Sequence, residues 1–157
     1  KKYTWISKGS SYKMSEIQAA FLYAQFMNLK KIQKKRDYIW NKYYQLLNKL
    51  NLPILLPEKC AESQHNSHIF HIRLKSQFLR EDLINFAKKR SVEMASHYET
   101  LHNSKAGKLY GISSGKLNHS INASKNLIRL PLHLDLTVKD IKIVIKTIRD
   151  FFKYQNL

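Results

Sequence analysis

Cysteine is nearly missing from this sequence: Cys60 stands alone among 157 residues, so no internal disulfide can form. A single thiol is most simply a reduced one, and the expectation is a cytoplasmic protein. Glycine and proline are scarce, at four and three residues, which excludes a collagen-like, linker-like or low-complexity chain. Long apolar runs are missing too. None reaches the roughly 20 residues needed to cross a bilayer, and the start carries no signal-peptide pattern. Acidic residues are few, 11 against 28 Lys and Arg, giving a formal net charge of +17. Such a balance attracts polyanions. The excess is mostly lysine spread over the whole chain, however, which argues against a nucleic-acid interface and suits a basic rim around a site for an anionic substrate. Phosphate loops of the GxGxxG and GxxxxGK[ST] kinds and the GxSxG elbow do not occur.

What is present reads as an ordered α/β (α+β) chain. An apolar content of 43% is enough for a core. Ser15 with Gln18 three residues later forms a capping-box signature, and Ile17, Phe21 and Ala24 follow at helical spacing. From Leu29 an apolar stripe runs through Ile32, Ile39, Tyr43, Leu46 and Leu50, broken once by Arg36, with a lysine face opposite. Pro53 and Pro57 end that long helix. His68 to Leu74 alternates like a strand, and Leu79, Leu83, Phe86 and Ala87 mark a short helix. Val92 to Tyr98 is expected as a second strand, Glu99 to Asn122 as a long irregular connection, and Leu130-Pro131-Leu132 as a short extended piece. Thr137 caps a final helix whose stripe runs from Val138 to Phe152. A small mixed sheet covered on one side by helices follows from that order.

Histidines offer the first chemistry. His65, His68 and His71 invite a metal site, but on a strand His68 faces away from the other two, and no metal is expected. His97, Tyr98 and His102 lie where an expected strand meets the glycine-containing connection. Titratable groups at such junctions often line clefts.

Four blocks, in order and over nearly the whole chain, resemble one family. They are GSSYKMSEIQAAFLYAQ (9–25), SHIFHIRL (67–74), SHYETLHNSKAG (96–107) and SKNLIRLPL (124–132). They are similar to the glycine-aromatic loop with its M-S-E-I-Q-A-A helix, the H-x-F-x-I strand, the H-Y-x-P-L-H segment and the S-E-x-L-L-R-L-P-L block of the DegT/DnrJ/EryC1/StrS sugar aminotransferases. The resemblance implies the type I aminotransferase fold, pyridoxal 5′-phosphate (PLP) as cofactor, glutamate as amino donor, a keto-sugar nucleotide as acceptor, and a homodimer. It further implies that residues 1–50 are an interface loop and connecting helices from a large PLP-binding domain, and that 51–157 are the small C-terminal domain.

By the same resemblance, Ser11 and Lys13 would contact the PLP phosphate, and His97, Tyr98 and His102 would line the sugar-nucleotide side of the cleft. Many members carry Asn and Arg where Ser11 and Lys13 stand, and Thr100 replaces the family's proline. Ser offers one hydroxyl donor, and Lys a point charge without the arginine fork. The Schiff-base lysine of the family sits in an S-x-H-x-x-K block, and no such block occurs here. No catalytic residue is therefore expected in this chain, which begins at Lys1 and reads as a C-terminal portion that is inactive alone and prone to self-association. A non-enzymatic dimerisation or interaction module is the alternative.

Overall fold

A computed structural model describes residues 12–155. Two compact units divide the chain, Lys1–Ile32 and Gln33–Leu157. In the first, helix α1 (Glu16–Met27) starts as the sequence requires: the Ser15 hydroxyl accepts from the Gln18 amide, and the Gln18 side chain accepts from the Ser15 N–H. Its side chains are apolar on every face. Ile17, Phe21, Tyr23, Phe26 and Met27 are all exposed, and none of the helix is buried.

Helix α2 (Leu29–Asn48) follows, and its second half belongs to the core of the larger unit. Ile39, Trp40, Tyr43 and Leu47 are buried there. The second half of the apolar stripe is thus covered within this unit, with Leu46 and Leu50 packed at its margin.

Strand β1 (Phe70–Arg73) pairs antiparallel with β2 (Leu127–Leu130), Phe70 opposite Leu130 and Ile72 opposite Ile128. These four side chains face the core, as the period-two alternation requires. Helix α3 (Gln77–Lys88) packs on helix α6 (Val138–Tyr154), which buries Ile141, Val144, Ile145, Ile148, Phe151 and Phe152. Each such side chain contributes about 1.5–3 kcal/mol on burial, so α6 is a principal contributor to the core it shares with the sheet. Trp40 packs edge-on against Phe70 and donates its indole N–H to the Ile69 carbonyl at 3.1 Å.

Two expectations are corrected. Segment 92–98 is not a full strand: it meets β2 only through the bridge between Ala95 and Arg129. Among the described residues the sheet is therefore two-stranded and antiparallel, not mixed. Nor is 99–122 irregular. It holds a 3₁₀ turn (Leu101–Asn103), helix α4 (Lys105–Tyr110) and the start of helix α5 (Asn118–Asn126). The second and third of these lack an apolar stripe. Ser104 caps α4 by accepting from the Gly107 amide at 2.9 Å, and α5 packs on α3. Gly107 is required here, because a Cβ would overlap the Leu101 carbonyl oxygen.

Candidate functional site

Segment 92–98 carries the candidate residues to the edge of β2. Ala95 exchanges both backbone hydrogen bonds with Arg129, at 2.7 and 3.2 Å. Arg129 sits between Ile128 and Leu130, whose side chains are buried on the core face, so its own side chain takes the other face. There its Nη1 donates to Nε2 of His97 at 2.8 Å. The Tyr98 ring stands edge-on to the His97 imidazole, with centroids 4.0 Å apart. Ser124 of α5 donates its hydroxyl to the Tyr98 carbonyl, which ties the pair to the far side of the segment.

His97 and Arg129 line an open hollow of about 650 Å³, with Pro131, His133, Asp140 and Val144 among its other walls. Loss of water contact pushes the His97 imidazole below its ordinary pKa, and the Arg129 guanidinium pushes it the same way. At neutral pH the ring is uncharged. Asp140 is held below the ordinary carboxylate range by the hydroxyl and amide of Thr137, which bond to it in a second capping box. The hollow thus offers one fixed cation, Arg129, the carboxylates of Glu93 and Asp140, and the imidazoles of His97 and His133, set among apolar walls.

Of the residues singled out in the sequence, His97 and Tyr98 are brought together. His102, in the 3₁₀ turn, shares no hydrogen bond or ring contact with either among the described residues, and its Nε2 is buried without a partner. Lys13 is exposed, and Ser11 lies outside the described residues. His65, His68 and His71 do not converge. His65 bonds to Ser67 through Nδ1, His68 is exposed, and His71 faces Arg129 across the two strands. Among the described residues no group of three or more His, Cys, Asp or Glu is placed to hold a metal ion. Arg129 was not singled out. Its signal was the alternation in LIRLPL, where one cation between two apolar residues must leave the core face.

The DegT/DnrJ/EryC1/StrS aminotransferase family model matches residues 1–149. The chain belongs to this family. The fold agrees. S. venezuelae DesV, solved in complex with a ketimine intermediate, superposes with a TM-score of 0.83 at 24% identity, covering 96% of this chain and 40% of DesV. Helicobacter pylori PseC, an aminotransferase involved in the biosynthesis of pseudoaminic acid, gives 0.78 at 17% identity, with 94% and 40% covered. The PLP form of the putative sugar aminotransferase Spr1654 from Streptococcus pneumoniae gives 0.75 at 20% identity, with 90% and 36% covered. The chain therefore spans about two fifths of the length of these proteins. No helix among the described residues is long and apolar enough to cross a membrane.

PLP serves this family as the electron sink for transamination. Of the two residues expected at its phosphate, Lys13 is described and is exposed. Every described lysine is exposed or half-buried.

Proposed function

We propose that this chain is the C-terminal portion of a PLP-dependent sugar-nucleotide aminotransferase, active as a homodimer. The reaction moves an amino group from glutamate to a dTDP-4-keto-6-deoxy sugar for surface polysaccharide or lipopolysaccharide synthesis. Within the family, the KYTW start and the GSSY loop favour the dTDP-4-amino-4,6-dideoxygalactose transaminase branch. The match over 1–149 carries the reading. Residues 1–50 are its interface loop and connecting helices, the far half of α2 reaching into the core, and 51–157 its small domain. Ser11 and Lys13 serve the phosphate of PLP, whose lysine and main pocket belong to an upstream domain. His97, Tyr98 and His102 serve the sugar nucleotide. The polar edge at His97 and Arg129 suits a hydroxylated, anionic ligand, and the surplus of lysine draws such ligands in. The chain alone has no turnover.

The test is an assay of the complete polypeptide with PLP, glutamate and dTDP-4-keto-6-deoxyglucose, with the amino-sugar nucleotide detected by mass. Formation of product supports the proposal; none with any keto-sugar nucleotide removes it. Tyr98→Phe and His97→Asn should raise KM for the sugar nucleotide while leaving the glutamate half-reaction unchanged. Equal loss in both half-reactions would take the two residues off the sugar side.

A non-enzymatic interaction module is favoured by one observation, the apolar exposure of α1 on every face. The reading frame upstream of Lys1 separates the two. An in-frame S-x-H-x-x-K block supports the enzyme; a stop codon or frameshift supports the module.

A further inference from the structure

Arg129 has five N–H donors and no acceptor, and it stays protonated at any pH a protein survives. A hydrogen bond between its Nη1 and Nε2 of His97, at 2.8 Å, can run in one direction only. Nε2 must offer its lone pair, so the ring's single proton lies on Nδ1. Nδ1 is itself buried and has no partner among the described residues. Buried N–H groups without an acceptor are rare in folded proteins, and each calls for an explanation.

We propose that Arg129 is a positioning residue for His97, fixing the imidazole as a neutral Nδ1–H donor that waits for an acceptor oxygen. His97 then neither takes nor passes a proton through Nε2, because that lone pair is already engaged. Its contribution is one directed hydrogen bond. The backbone makes the arrangement rigid, since Ala95 and Arg129 are bonded in both directions two residues before His97. Glu93, His133 and Asp140 also face the hollow, but Asp140 is engaged by Thr137, and no described acidic side chain bonds to Arg129. The guanidinium is thus left to the histidine. The acceptor is an oxygen of the sugar nucleotide if His97 serves the substrate as proposed above; the inference rests on that reading for its acceptor, but not for the state of the ring.

The ring can be read directly in this chain by long-range proton–nitrogen correlation of ¹⁵N-labelled imidazoles at pH 7. The expected spectrum shows Nδ1 protonated and Nε2 unprotonated for His97. Arg129→Met should transfer the proton to Nε2 or leave the two forms exchanging, and Arg129→Lys, which restores a donor with no acceptor, should return it to Nδ1. An Nε2–H ring in the wild type overturns the proposal, whatever the variants do. So does an Arg129→Met spectrum unchanged at His97 while the amide spectrum remains folded. Failure of His97→Asn to affect KM for the sugar nucleotide would remove the substrate role without moving these signals, so the two failures are distinguishable.

Discussion

The phenolic hydroxyl of Tyr43 donates to the carbonyl oxygen of Pro131 at 2.9 Å, joining two positions 88 residues apart. Tyr43 lies on α2, and Pro131 follows β2 in the wall of the hollow. The bond therefore holds the strand that carries Arg129 against the helix beneath it. Burial, with a smaller push from Asp140, raises the Tyr43 pKa above the ordinary tyrosine range, so the hydroxyl remains a donor throughout the working pH range. Tyr43→Phe keeps the ring and removes the donor. It should cost about 1–3 kcal/mol, visible as a lower urea midpoint with an unchanged slope.

A second clasp holds the approach to β1. Ser67 is fully buried and donates to Asp37 Oδ1 at 2.6 Å, while Gln33 reaches the same oxygen at 3.0 Å. Ser67→Ala leaves the Asp37 carboxylate with one donor fewer, and a loss of about 1–3 kcal/mol is expected. Asp37→Asn in the same background should then add little, because the two changes share one interaction. A full additive loss would show that Asp37 acts elsewhere.

Acid should weaken the fold before any carboxylate titrates. His97 and His71 both lie below the ordinary imidazole value of 6.5, each mainly through loss of water, with Arg129 and Arg73 as the further causes. An unfolded chain takes up these protons near that pH; the folded chain resists. Stability is therefore unaffected above pH 7 and falls as pH drops from about 6.5. Urea midpoints at pH 7.5 and 5.5 measure the effect, and His71→Gln should flatten the difference. The lowered pKa of Asp140 acts in its own window, with stability lost only as pH falls below the ordinary value of 3.8.

Gly107→Ala should disturb the 101–110 segment and little else. The added methyl meets the Leu101 carbonyl, so the 3₁₀ turn and the start of α4 cannot both keep their places. Amide exchange should speed up from Leu101 to Tyr110 while α6 remains protected. Uniform acceleration across the core would contradict that local reading.

Exposed apolar side chains on α1 should make the chain self-associate. Sedimentation should show mass rising with concentration, and Phe21→Glu with Phe26→Glu should suppress the rise. A monomer at all concentrations would end this expectation.

Where structure follows from a few local groups, the sequence was enough. Ser15 with Gln18 forms the capping box its spacing announces, and Thr137 caps the last helix as expected, with Asp140 completing a second box there. Phe70, Ile72 and Leu74 take the buried face their alternation requires. The helices after Thr100 were hidden because KAGKLY and NHSINASKN carry no apolar stripe; a serine cap and packing on α3 hold them, and the packing is a tertiary fact. The strand expected at 92–98 shrinks to one bridge, since only Ala95 pairs with Arg129. The candidate site was half legible. His97 and Tyr98 stood out by type and position, whereas the guanidinium that governs His97 comes from a strand 32 residues downstream.

The pairing of β1 with β2 also bears on how the molecule is made. Phe70 leaves the ribosome long before Leu130 exists to meet it, and the aromatic pair Phe151 and Phe152 follows later still. Until then α2 and β1 present an uncovered apolar surface and an unbonded strand edge to the cell. Burial of this core is accordingly a late event dominated by distant partners, a topology that folds slowly. During that interval the nascent chain is a natural client for chaperones that shield apolar segments.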